Sequence, residues 1–156
     1  MKTRELQTLW WDWLGTSERL LRSLYEQTAA LTLRDVARVE RIQPELDQMM
    51  TRLRELDNEA VALAHKLAGD FGVEPNLRSL VSVLEKAEAQ ALQGLGNRVT
   101  VAARNVQEVL KKNRALIENE MTYINGSVTL IAKAAVHAQG PFSSGKADAV
   151  LVDQAA

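Results

Sequence analysis

Apolar residues recur at steps of three and four from the start of the chain. Leu6, Leu9, Trp13, Leu20, Leu24 and Leu31 form one stripe, which Trp10, Leu14, Leu21 and Tyr25 widen. This spacing places them on one side of a 3.6-residue helix and predicts a first long helix from about Thr3 to Thr28. Gly15 lies inside it, at about 1 kcal/mol of helix propensity against alanine. Leu31-Thr32-Leu33-Arg34-Asp35 then reads as a turn and a new start, with Thr32 as the N-cap and Asp35 three residues on. The clearest repeat follows: Val39, Ile42, Leu46, Met49, Leu53, Leu56, Ala60, Leu63 and Leu67. That is a/d spacing over about four heptads. Pro44 falls at an outward position. The register continues across it, which predicts one helix with a kink rather than two helices.

Gly69 to Asn76 reads as a loop. A short helix is expected from about Leu77 to Leu92, with Leu80, Val83 or Leu84, Ala87 and Ala91 turned inward. Gly94-Leu95-Gly96 either breaks it or only loosens it. The last long helix is expected over about Asn97 to Ala135. Its stripe is Ala103, Val106, Leu110, Asn113, Ile117, Met121, Ile124, Val128 and Ile131. The steps from 113 to 117 to 121 are four and four, a stutter that locally unwinds a supercoil. After Val136 come GPFSSGK and ADAVLVDQAA. Glycine, serine and proline there predict a flexible connection. The apolar patch beyond it is either an untidy terminus or a docking piece. The organisation predicted is therefore a helical domain over 1–135 and a flexible C-terminal tail over 136–156. The fold class is all-α: an elongated antiparallel helical bundle or coiled coil with two or three long helices and a short one.

Composition adds limits. A chain of 156 residues with 46% hydrophobic and 25% charged residues suits one folded domain. The formal net charge of -1 favours neither nucleic acid nor an anionic membrane as partner. Without cysteine there is no disulfide framework and no thiolate chemistry. Glu5 and Asp12 interrupt what a signal peptide would need to be apolar, and Lys133 interrupts the most apolar run of the last helix. Cytoplasmic residence and no membrane insertion are the expectation.

No catalytic or metal set emerges. His65 and His137 belong to no HExxH or ExxH pair, and His65 is expected at the surface or the boundary of the core. GLGNR lacks the lysine-serine ending of a phosphate loop. Glu118 and Glu120 face different sides of their helix. No enzyme activity, cofactor or metal is expected. The basic residues Arg104, Lys111, Lys112 and Arg114 are diluted by Glu108, Glu118 and Glu120, and no aromatic interleaves to stack bases. They read as a solvated helix face. Trp10 and Trp13 share a side, while Trp11 points away from it, towards a wide core or towards a partner.

One stretch is more distinctive. Asn113-Arg114-Ala115-Leu116-Ile117, followed by Tyr123-Ile124-Asn125, resembles the signature of the FlgN family of flagellar export chaperones. The leucine-rich first helix, the L-T-x-x-D start of the second, the heptad run and the closing Leu151-Val152-Asp153-Gln154-Ala155 look like the family too. Phe142 stands where the family often has a tyrosine after the last helix. The resemblance implies a cytoplasmic chaperone of the type III export system. Its implied substrates are hook-filament junction proteins, usually called FlgK and FlgL, with an export-gate component as a second partner. Under this reading the last helix and tail bind the partner through Val106, Leu110, Asn113, Ile117, Met121, Tyr123, Ile124, Val128, Ile131 and Leu151. Asn113 has a second possible role, setting helix register. Replacing it with leucine is then expected to stabilise the isolated fold yet disturb register or partner choice. A coiled-coil homodimer built on the second-helix heptads is the competing expectation.

Overall fold

The computed structural model describes residues 2–134, and side chains over residues 2–119. The order of elements is α1 (Arg4–Thr32), α2 (Val36–Phe71), α3 (Leu77–Ser82) and α4 (Lys86–Ala134). Three long helices and a short one pack against each other, so the fold is an all-α bundle. Contacts divide it into two units. One joins Met1–Ser23 with Gln43–Gln107, and the other joins Leu24–Ile42 with α4 from Glu108 onward.

The stripes turn inward as periodicity predicts. On α1, Leu6, Trp13, Leu20 and Leu24 are buried; on α2, Ile42, Leu46, Leu56, Ala60 and Leu67 are buried. Pro44 is exposed and lies within a continuous α2. In the first unit, Leu6, Ala60, Leu67, Ala68, Leu80 and Leu92 form the core, with Trp10 and Leu63 packed on it. Each such leucine, taken fully out of water, contributes about 1.5–3 kcal/mol. Leu6 meets the 60–68 end of α2, whereas Thr16 and Arg19 share a pocket with Arg52. Positions rise on one helix as they fall on the other, so α1 and α2 run antiparallel there. Against α4, Thr3 bonds Glu88 and Trp11 meets Arg98. Here the positions rise together, so α1 and α4 run parallel.

Two turns differ from expectation in instructive ways. Helix α1 continues to Thr32, and Thr32 is no cap: its hydroxyl donates to the Thr28 carbonyl at 2.8 Å. Arg34 takes the left-handed conformation, φ 56°. The Arg34 amide then donates to Leu31 O and the Asp35 amide to Ala30 O, a Schellman closure. The N-cap of α2 is Asp35, whose carboxylate accepts from the Arg38 amide at 3.2 Å. The same closure ends α2 with Gly72 at φ 67°, where Val73 N donates to Ala68 O.

The larger correction concerns the start of the last helix. The break falls at residues 83–85, and α4 runs unbroken through both Gly94 and Gly96. The Asn76 side chain caps the short α3 by accepting from the Ser79 amide at 2.8 Å. Resetting the helix at Lys86 rotates the inward face. Ala87, Ala91 and Val83 are exposed, Leu84 packs on the core, and Glu88, Leu92 and Leu95 are buried. Gly96 is no breaker; a Cβ there would stand 2.6 Å from Leu77 Cδ2 and 3.5 Å from the Trp10 ring. It admits those side chains against α4. Gly94 has nothing within 4 Å and is exposed. Gly94→Ala is expected to raise stability by about 0.5–1 kcal/mol through helix propensity, read as a higher melting temperature.

Glu88 fastens the start of α1 to the start of α4. Its Oε1 accepts from the Thr3 amide at 2.9 Å and the Thr3 hydroxyl at 2.6 Å. Gln7 Nε2 donates to that hydroxyl oxygen at 3.0 Å. One carboxylate thus faces the positive ends of two helices. The Thr3 hydroxyl, then the Thr3 amide, holds the Glu88 carboxyl below its ordinary range, and burial opposes them only in part. A carboxylate with a lowered folded pKa stabilises the fold above its unfolded pKa, and that contribution is lost as pH falls through the folded value. The stability gap between wild type and Glu88→Gln should therefore be full at neutral pH. It should shrink as pH falls through and below the ordinary glutamate range, as followed by chemical denaturation at each pH. A gap that does not change with pH would contradict the ionised clamp.

Candidate functional site

The distinctive motif begins on α4 in the second unit. Asn113 is 1% exposed. Its amide nitrogen donates to the Leu24 carbonyl at 2.9 Å and to Gln27 Oε1 at 2.9 Å. Its oxygen accepts from the Thr28 hydroxyl at 2.5 Å. Both N–H groups and the carbonyl are thereby used, the condition under which a buried amide is tolerated. Leu24, Gln27 and Thr28 lie on consecutive turns of α1, so the amide reads one position along that helix. Among the described residues no buried side-chain polar atom lacks a partner.

The sequence-derived partner residues fall into three groups. Val106, Asn113 and Ile117 are buried within this chain, and Leu110 is half-buried. Met121, Tyr123, Ile124, Val128 and Ile131 lie on α4, where their side chains are outside the described residues. Leu151 and the rest of 136–156 also lie outside the described residues. Arg104, Lys111 and Lys112 are exposed and Arg114 half-buried, as a solvated face would have them. His65 is exposed. The tryptophans separate as their spacing suggests: Trp13 is buried, Trp10 packs on the core and Trp11 is 53% exposed. The Arg98 guanidinium sits over the Trp11 ring at 5.6 Å from its centre.

Sequence reasoning missed a groove in the first unit. It has a volume of about 470 Å³ between α1 and the 97–106 stretch of α4. Leu14, Leu21, Val101, Ala102 and Val106 supply apolar lining, with Glu18 and Arg98 among its polar residues. Val101 is 53% exposed. The available signal was Leu14 and Leu21 on the flank of the α1 stripe, which read simply as extra core width.

These features define an all-α bundle protein with an open helical groove and a buried polar node at Asn113. Residues 1–141 match the family model described as FlgN protein, and the chain belongs to the FlgN family. Membership makes it a flagellar export chaperone in general terms, from a family of chaperones rather than enzymes. No curated protein and no solved structure matches the chain. Among the described residues no helix is long and apolar enough to cross a membrane.

Proposed function

We propose that this chain is the export chaperone for hook-filament junction proteins of the FlgK and FlgL kind. In this reading it acts in the cytoplasm, covers their terminal helical segments and helps deliver them to the type III export gate. The observation that carries the reading is the family match, which spans all four helices. Physical chemistry makes it reasonable. Amphipathic terminal helices that polymerise outside the cell need their apolar faces covered beforehand. A long helix with an apolar stripe can lie alongside them and complete a bundle. Ordering the guest costs free energy, which keeps affinity moderate and release possible.

The candidate contact residues on the later part of α4 are Met121, Tyr123, Ile124, Val128 and Ile131, with Leu151 in the 136–156 stretch outside the described residues. Leu110 is half-buried and available in part. Val106, Asn113 and Ile117 are buried within this chain. The test is capture of purified terminal segments of junction proteins by the full chain, with a 136–156 deletion in parallel. Capture by both places the seat on the helices, and loss in the deletion places it on the tail. Failure of the full chain to capture any such segment sinks the reading.

A further inference from the structure

We propose that the groove between α1 and residues 97–106 of α4 seats an amphipathic helix of the exported partner. The helix it fits carries basic residues along one flank of its apolar stripe and acidic residues along the other. The inference rests on the chaperone reading and adds to its late-α4 candidates a second place of contact and a chemistry for it.

The floor is apolar and shallow, made of Leu14, Leu21, Val101 and Ala102. Ala102 is small, which lets a third helix approach closely, since interaxial distance follows the size of the contact residues. From Leu14 to Leu21, α1 rises about 10 Å at ~1.5 Å per residue, or about two helical turns. The parallel run of α4 alongside makes the two walls nearly equal in length. A helix of similar length laid between them would cover Val101, which is otherwise half exposed to water.

Charge gives the occupant its character. Glu18 belongs to the α1 wall and Arg98 to the α4 wall. Glu18 has no hydrogen-bond or ion-pair partner among the described residues. Arg98 is not spent on a carboxylate there; it rests on the Trp11 face, which positions the guanidinium. Opposite charges on opposite walls disfavour a guest with two acidic or two basic flanks, because one flank would always meet its own sign. A guest with one flank of each sign satisfies both walls in a single direction. The groove therefore selects flank pattern and helix polarity together.

The test uses the full chain and fluorescently labelled terminal helical segments of junction proteins, with affinity read by anisotropy. Val101→Asp places a charge on the floor and should weaken binding about tenfold or more, as removal of a central apolar contact does. Arg98→Glu should weaken it about three- to tenfold, with the loss reduced at high salt. Both positions are exposed, so melting temperatures should stay near wild type. Val101→Ser is measured beside Val101→Asp, so that a folding defect in one does not decide the outcome. Binding by the Val101 variants within twofold of wild type overturns the groove while the chaperone reading stands. A loss confined to the Val101 variants overturns the flank-charge assignment. If wild type binds no segment, the chaperone reading and this inference fall together.

Discussion

Leu92→Ala is expected to cost about 2–5 kcal/mol of folding stability, the largest single effect anticipated for this chain. Leu92 is 0% exposed and belongs to the cluster where α1, α2, α3 and α4 meet in the first unit. Its neighbours include Leu6, Ala60 and Leu80, contributed by three other helices. Truncation therefore opens a cavity that no single side chain can fill without disturbing a second helix. The loss combines the transfer free energy of the removed methyl groups with the contacts forfeited around the void. Urea denaturation would show it as a lower midpoint with an unchanged slope. Leu84→Ala, at a half-buried position on the same cluster, serves as the control and should cost less. Equal effects at the two positions would contradict the burial pattern.

The second expected result reverses the sequence-based expectation for Asn113. Asn113→Leu should destabilise the chain by about 1–3 kcal/mol, because the partners of the lost amide remain behind. Gln27 is 4% exposed and would lose the amide N–H that it accepts at 2.9 Å. The Thr28 hydroxyl would lose its 2.5 Å acceptor and fall back on the Leu24 carbonyl at 2.9 Å. Leucine has the size to fill the site but cannot satisfy any of these groups. The triple change Gln27→Leu, Thr28→Val, Asn113→Leu removes both sides of the network. It should recover part of the loss, since replacing hydrogen-bonded side chains together with apolar groups costs less than removing one of them alone. Thermal unfolding of the single and triple variants decides the matter. A single variant as stable as wild type would show the node to be dispensable.

Much of the fold was legible because stripes of large apolar residues leave little freedom. The heptads of α2 run through Pro44 in one register, and that continuity outweighs a single missing backbone bond. The misreadings came from residues whose usual role was overridden by packing. Gly94 and Gly96 resemble a helix end, yet Gly96 is there to admit Leu77 and Trp10, a contact between positions far apart in sequence. The real break at 83–85 has no proline or glycine to announce it. Thr32 and Asp35 are both residue types that cap helices. The choice between them follows from Arg34 taking a left-handed backbone, which no local preference of arginine predicts. The site was legible by half. Asn113 stood out as a polar residue on an apolar stripe, but Gln27 and Thr28 were invisible as its partners because pairing across helices leaves no mark in either helix alone. The groove was invisible for a related reason: Leu14 and Leu21 look like core until the neighbouring helix is seen to leave them partly uncovered.

The Thr3–Glu88 clasp also says something about time. Its two residues stand 85 positions apart, and so do Thr28 and Asn113. At synthesis rates of about 5–20 residues per second, α1 waits roughly 4–17 s before the matching turns of α4 have been made. Helix α2 is complete sooner and lies antiparallel to α1, so it is the first cover available for Leu6 and Trp10. The newborn chain is thus expected to pass through an α1–α2 hairpin whose remaining apolar side is open. In that interval the protein stands in the same position as the helices it is proposed to protect, with a face that only a later helix can close.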